Sequence, residues 1–187
     1  MKKSNITLIG MPASGKSSVG VVLAKRLGKR FIDTDMVIQE KYGKLLKELI
    51  EEYGDEGFRE IEEDVNASID VTNCIISPGG SVIYGERAMK HLKENSIIIY
   101  LELSYTAIKS RLGDLRDRGI TLKEGQTLKD LYLERVPLYE KYADITINEM
   151  KKTLPRTIDE ICVRLGEKPK LRKRNSKKGR IAKNKKS

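Results

Sequence analysis

Histidine is nearly missing from this chain: His91 is the only one among 187 residues. A lone imidazole lacks the partners that metal binding or acid–base catalysis needs. His91, on a predicted helix through Ala88-Met89-Lys90-His91-Leu92-Lys93, therefore reads as a surface or packing residue. Cysteine is almost as scarce. Cys74 and Cys162 form no CxxC pair. That speaks against a zinc site or a disulfide framework and for reduced residues in a cytoplasmic protein. No apolar run reaches the roughly 18 residues of a membrane span, so none is expected. Met1-Lys2-Lys3 and the apolar stretch after it begin like a signal peptide, but Gly10 interrupts them. There is no internal repeat. The length suggests one domain with a sizeable core.

Charge balance is also missing, but only at one end. The net charge is +10, and residues 167–187 hold 11 Lys/Arg against one Glu. The rest of the chain holds 26 residues of each sign. The tail has few apolar residues and no periodicity, so a disordered segment over 167–187 is expected. Such a tail either solubilises or touches RNA or another polyanion through phosphate contacts. It has no aromatic residue to stack on bases, which favours the plainer role.

What is present is sharper. Gly10 to Ser17 read GMPASGKS, the phosphate-binding pattern G-x-x-x-x-G-K-[ST]. Ile6-Thr7-Leu8-Ile9 before it is a short β-type run, and Ser17 to Leu27 after it carries apolar residues at helical spacing. Strand, glycine loop and helix in that order are what the motif requires. Backbone N–H groups of such a loop curl around phosphate oxygens, and the helix N-terminus adds positive dipole. Gly10, Met11, Pro12, Ala13, Ser14, Gly15, Lys16 and Ser17, with Ser18 beside them, are expected to bind nucleotide. Lys16 would reach the β- and γ-phosphates, and Ser17 would offer its hydroxyl to Mg²⁺.

Short apolar runs alternate with helix-period segments along the chain. The runs are 6–9, 30–33, 74–77, 97–103 and 144–147; the helical segments are about 16–28, 35–52, 55–70, 85–94, 104–113, 127–142 and 155–166. This alternation predicts an α/β fold with a parallel sheet covered on both faces. Ile97-Ile98-Ile99-Tyr100-Leu101 is continuously apolar, as a strand buried on both sides should be. Ser104 and Thr127 suit helix N-caps. The polar stretch from Gly113 to Gln126, with Arg116 and Arg118, reads as a mobile loop near the phosphates.

Two features point at the acceptor. Phe31-Ile32-Asp33-Thr34-Asp35 is a strand running into two aspartates, and strand C-termini face the ligand crevice in such sheets. One aspartate could hold Mg²⁺ through water while the other meets the acceptor; a helix N-cap is the plainer role. Ser77-Pro78-Gly79-Gly80-Ser81 follows a buried strand, where paired glycines let a ligand approach the backbone.

The pattern resembles the shikimate kinases over roughly residues 4–160. The resemblance rests on GMPASGKSSVG at 10–20, DTD at 33–35, FREIE at 58–62, GG at 79–80 and ERVPLYEKYAD at 134–144. It implies a three-layer, nucleoside monophosphate kinase-like fold with a five-stranded parallel sheet, helices on its faces and a lid over about 113–126. It also implies an ATP-dependent, Mg²⁺-requiring kinase that phosphorylates the 3-hydroxyl of shikimate. By that resemblance Lys16 and Ser17 serve nucleotide and metal, and Asp33 supports the metal through water. Asp35 holds the acceptor hydroxyls and is the candidate proton acceptor. Arg59 and Arg135 pair with the acceptor carboxylate, and Gly79 and Gly80 give it backbone contacts. Arg118 matches the lid arginine, and Arg111 a residue near the adenine. The catalytic residues would be Lys16, Asp35 and Arg118, in a kinase domain over 1–166 that acts as a cytoplasmic monomer. Ser81 stands where the family has a third glycine, and Gly119 where a proline usually follows the lid arginine. Arg116 competes with Arg118 for the lid role. Another hydroxy acid such as gluconate remains an alternative acceptor. An RNA-associated NTP-binding protein acting through its tail is an alternative of another class.

Overall fold

The computed structural model describes residues 3–112, 120, 122–123, 125–150 and 152–167. Arg116, Arg118, most of the expected lid and the basic tail from Lys168 lie outside the described residues.

Isoleucine-rich runs form the strands β1 (Asn5–Ile9), β2 (Arg30–Asp33), β3 (Cys74–Ser77), β4 (Ser96–Glu102) and β5 (Ile145–Asn148). They pair in parallel, in the order β2-β3-β1-β4-β5. Parallel strands need long crossovers, and helices supply them. Among the described residues these are α1 (Lys16–Leu27), α2 (Thr34–Tyr42), α3 (Leu46–Ala67), α4 (Glu86–Asn95), α5 (Tyr105–Arg111), α6 (Leu128–Tyr142) and α7 (Leu154–Arg164), with a 3₁₀ turn at Val82–Tyr84.

Side chains alternate across each strand, so β1 to β4 feed two cores, while the edge strand β5 feeds one. In β4, Ile98 and Tyr100 pack with Met89 and Leu92 of α4, Ile108 of α5 and Tyr139 of α6. Ile99 and Leu101 face the other way, onto Val19 and Leu23 of α1 and Ile158 and Ile161 of α7. Gly20 lets α1 lie close to the sheet, because a Cβ there would overlap the Phe31 ring. A smaller cluster of Ile38, Leu49, Phe58, Ile61 and Val65 joins α2 to α3 beside the sheet.

The expected helix over 35–52 is not continuous. Gly43 adopts a left-handed conformation (φ 66°), accepts the end of α2 and turns the chain before α3 begins. The break expected between 52 and 55 is present at Gly54, whose non-helical backbone (φ 69°, ψ 178°) divides α3 into two helical segments at a kink. The two expected caps form: Ser104 Oγ accepts from Ala107 N at 3.3 Å, and Thr127 Oγ1 accepts from Asp130 N at 3.2 Å. Cys74 and Cys162 are free and buried, and His91 Nε2 meets the Ile69 carbonyl at 2.7 Å.

The strand order places β1 between β3 and β4, so the loop after β1 opens at the point where successive crossovers leave the sheet in opposite directions. A crevice forms there, outside the strand C-termini.

Candidate active site

The loop from Gly10 to Ser17 sits in that crevice. Its shape needs φ of 149° at Gly10, 63° at Ala13 and 92° at Gly15, where α1 begins. Lys16 turns back into the loop and donates to the carbonyls of Gly10 (3.0 Å) and Met11 (3.2 Å). Burial lowers its pKa to about 8, against the pull of Asp35. Met11 and Ser14 are buried; Tyr139 Oη lies 3.9 Å from the Met11 sulfur, so these two support the loop from beneath.

Asp33 has two partners, one for each carboxylate oxygen. Oδ1 accepts from Asp35 N at 3.1 Å, capping α2, and Oδ2 accepts from Ser17 Oγ at 2.7 Å. The plainer cap role and the metal-side role thus coexist in one residue. The oxygen donors of Ser17 and Asp33 fit a hard cation such as Mg²⁺, which takes one or two protein oxygens alongside phosphates and water. No cluster of three or more His, Cys, Asp or Glu stands ready to cage a metal among the described residues.

Asp35 points into the crevice from the first turn of α2. Burial raises its pKa to about 6, Asp33 adds to the rise and Lys16 opposes it. Gly79 and Gly80 lie alongside, after β3. A Cβ on Gly79 would overlap Glu62 Oε1 and stand 3.1 Å from Asp35 Oδ1. One on Gly80 would stand 2.7 Å from Pro12 Cδ and 3.2 Å from Arg135 Nη1. The glycine pair therefore leaves room for the protein's own charged groups to converge. Tyr139 Oη donates to the Gly80 carbonyl at 2.6 Å and fixes the turn.

Ser81 does not simply add bulk to this turn. Its hydroxyl donates to Glu62, a buried carboxyl of α3. Burial pushes the pKa of Glu62 up to about 7, while Ser81, Arg135 and Arg59 oppose the rise. Arg135, from α6, is only 3% exposed. Its side chain meets Tyr84, where its Nε donates to Tyr84 Oη at 3.3 Å.

Lys16, Ser17, Asp33, Asp35, Gly79, Gly80, Arg111 and Arg135 all line one cleft of about 780 Å³. Arg59 is set back from the cleft wall and joins it through the Tyr84 ring, 5.2 Å from its Cζ. Arg111 is exposed at the nucleotide end, near Glu149. Sequence reading missed Glu62, Tyr84, Tyr139 and Glu149. Glu149, buried behind Gly15, has its carboxyl pushed up by burial, with Arg111 opposing. It also missed the exposed apolar residues Met36 and Leu45 at the mouth of the cleft.

A loop for phosphate, an acid beside it and a buried guanidinium across the cleft make an arrangement suited to phosphoryl transfer onto an anionic acceptor. Comparisons with known proteins agree. The shikimate kinase family model matches residues 12–176. A shikimate kinase of Sulfurihydrogenibium sp. (strain YO3AOP1) is 33% identical over 162 residues, covering 86% of this chain and 97% of the relative. One from Thermodesulfovibrio yellowstonii is 37% identical over 147 residues, 77% of this chain and 84% of the relative. Among solved structures, shikimate kinase from Acinetobacter baumannii in complex with shikimate superimposes with a TM-score of 0.79 at 29% identity, covering 88% of this chain and 94% of that one.

Proposed function

Because this chain belongs to the shikimate kinase family, we propose that it transfers the γ-phosphoryl group of ATP to the 3-hydroxyl of shikimate. The observation that carries the assignment beyond family membership is the buried Arg135 across the cleft from Lys16 and Asp35.

The geometry supports the following assignment of roles. Residues of the phosphate loop hold the nucleotide, with Lys16 as the buried cation for charge that develops on the transferred group. Ser17 would hold Mg²⁺ directly and Asp33 through water; the ion would supply neutralisation of phosphate charge. Asp35, ionised above about pH 6, accepts the proton of the attacking hydroxyl. The oxygen–phosphorus bond forms as the bond from the β-phosphate bridging oxygen to γ-phosphorus breaks, and ADP leaves. Arg135 and Arg59 orient the acceptor through its carboxylate. Gly79 and Gly80 offer backbone, and Arg111 borders the base. Arg118, or Arg116, would complete the site from the lid over about 113–126.

Residues 1–166 would form the kinase domain, with the tail over 167–187 outside it. The protein would act as a monomer. No helix among the described residues is long and apolar enough to cross a membrane. The free buried cysteines suit a reducing cytoplasm.

The test is a coupled ADP-release assay across shikimate, quinate, gluconate and nucleoside monophosphates, with full-length protein and with residues 168–187 removed. Shikimate is expected to give the largest kcat/KM. Turnover that shifts to gluconate would retain the mechanism and change the substrate. Turnover within about twofold after truncation is expected, because a segment without apolar anchors buries little surface. The tail's net charge favours weak, salt-sensitive contact with polyanions, and truncation should remove retention of the protein on a polyanion column.

The pH profile gives an independent check. Asp35 has a raised pKa and acts deprotonated, so kcat/KM for the acceptor should fall as pH drops through about 6. Lys16 has a lowered pKa and acts protonated, so kcat/KM for ATP should fall as pH rises through about 8. The acidic limb should vanish in the residual activity of Asp35→Asn. A profile that keeps that limb would assign it elsewhere.

A further inference from the structure

Arg59 and Arg135 come from different helices, α3 and α6, and bring like charges to one aromatic ring, Arg135 lining the cleft and Arg59 set back behind its wall. Like charges brought together in a desolvated site repel. Something must hold them there before a carboxylate arrives. Glu62 is a partial answer: both guanidiniums act on its carboxyl, but burial raises its pKa to about 7, so it is only partly ionised at neutral pH. The second element is aromatic.

Tyr84 ends the 3₁₀ turn that follows the Gly79-Gly80 segment. The Cζ atoms of Arg59 and Arg135 lie 5.2 Å and 5.3 Å from the centroid of its ring, both within cation–π range. The hydroxyl fixes the ring's orientation. It accepts from Arg135 Nε at 3.3 Å and donates to Glu134 Oε1 at 2.7 Å. Glu134 in turn accepts from Gln126 Nε2 at 2.8 Å and pairs with Lys123 Nζ at 3.9 Å. Burial and the Glu134 bond raise the phenol's pKa, so the hydroxyl stays a donor. The turn itself is seated on α3: the Gly85 N–H donates to the Val82 carbonyl at 3.1 Å, and a Cβ on Gly85 would stand 3.1 Å from Glu63 Cγ. Tyr84 thus has a fixed backbone, a tied hydroxyl and a ring shared by two guanidiniums.

We propose that Tyr84 is a positioning residue for acceptor recognition, its ring holding both Arg59 and Arg135 beside the acceptor end of the cleft. This rests on the reading of those arginines as the carboxylate site. The π face offers partial negative charge without offering a carboxylate. Tyr84 therefore holds both cations through the ring, and of their N–H donors its hydroxyl takes only Arg135 Nε. Glu134, through the hydroxyl, connects this corner to Lys123 and Gln126, which lead into α6.

The experiment measures KM for shikimate, KM for ATP, kcat and the thermal midpoint in Tyr84→Met, Tyr84→Phe, Arg59→Ala and Arg135→Ala. Met keeps much of the side-chain bulk and loses the aromatic face. Tyr84→Met is expected to raise the shikimate KM about tenfold, with ATP KM changed less than about twofold and kcat less than about threefold. Tyr84→Phe keeps the ring and should hold the shikimate KM within about threefold of the wild type. An unchanged shikimate KM in Tyr84→Met, or a rise shared by both substrates, overturns the proposal. Should Tyr84→Met fail to fold, Tyr84→Phe decides: a KM near wild type supports the ring's role, and a rise as large as in Arg135→Ala overturns it. If the arginine variants raise the shikimate KM and Tyr84→Met does not, the Tyr84 assignment alone falls. If the arginine variants leave it unchanged, the carboxylate reading falls and this one with it.

Discussion

Replacing Lys16 by alanine is expected to lower kcat by about 10³-fold or more, the range seen when a preorganised donor to transition-state charge is lost. The ammonium is already buried and anchored on the Gly10 and Met11 carbonyls. On the proposed role it is held in place before the nucleotide arrives, and preorganisation of that kind is where most of its effect would arise. Nucleotide affinity should weaken less than turnover, since the remaining loop still presents its N–H groups. The fold should survive, because the Lys16 side chain belongs to neither core cluster. Lys16→Met, closer in volume, separates the loss of charge from the loss of packing. Steady-state kinetics beside circular dichroism would check this. Normal turnover in a folded Lys16→Met protein would remove the phosphate-loop assignment.

Arg135→Ala should produce the largest change in acceptor binding. It is the buried member of the arginine pair, and truncating one side of a desolvated charge pair costs about 2–5 kcal/mol. That corresponds to a roughly thirtyfold to several-thousandfold higher shikimate KM. Arg59→Ala should have a smaller effect in the same direction, because Arg59 stands behind the cleft wall. Arg135→Lys should recover only part of the loss, since an ammonium cannot form the guanidinium's paired bonds. ATP KM should stay near its original value in all three. Isothermal titration with shikimate measures the same quantity without turnover. An unchanged acceptor affinity in Arg135→Ala would sink the carboxylate assignment.

The parts of this site that could be read from sequence are those whose chemistry is local. GMPASGKS specifies its own backbone shape, and the strand and helix on either side place it. Asp33, Asp35, Gly79 and Gly80 could be assigned to the crevice because each follows a strand, and parallel topology sends strand C-termini to one edge. Glu62 and Tyr84 had no such signal. A glutamate inside a charged helix reads as solvated, and only the packing of α3 against the turn after β3 buries it. Tyr84 gains its meaning from two arginines far away in sequence. Gly43 escaped notice because a glycine inside a helical pattern is often tolerated, and it ends α2 here by adopting a left-handed backbone. Ser81 could be identified as a departure from the family pattern, but its hydroxyl's direction toward Glu62 needed the tertiary structure.

The position of β1 in the middle of the sheet carries a consequence for how the protein is made. The phosphate loop is synthesised before β3 and β4, yet β1 is flanked by both. Asn5 pairs in register with Ser96 and Ile9 with Tyr100, far along the chain. Contacts of such long separation form late, because the intervening chain must close first. A ribosome-bound fragment ending before Ser96 has no β4 to complete that framework. Nucleotide therefore has its finished site only once most of the sheet exists, and ATP stabilises the completed fold rather than guiding its first steps.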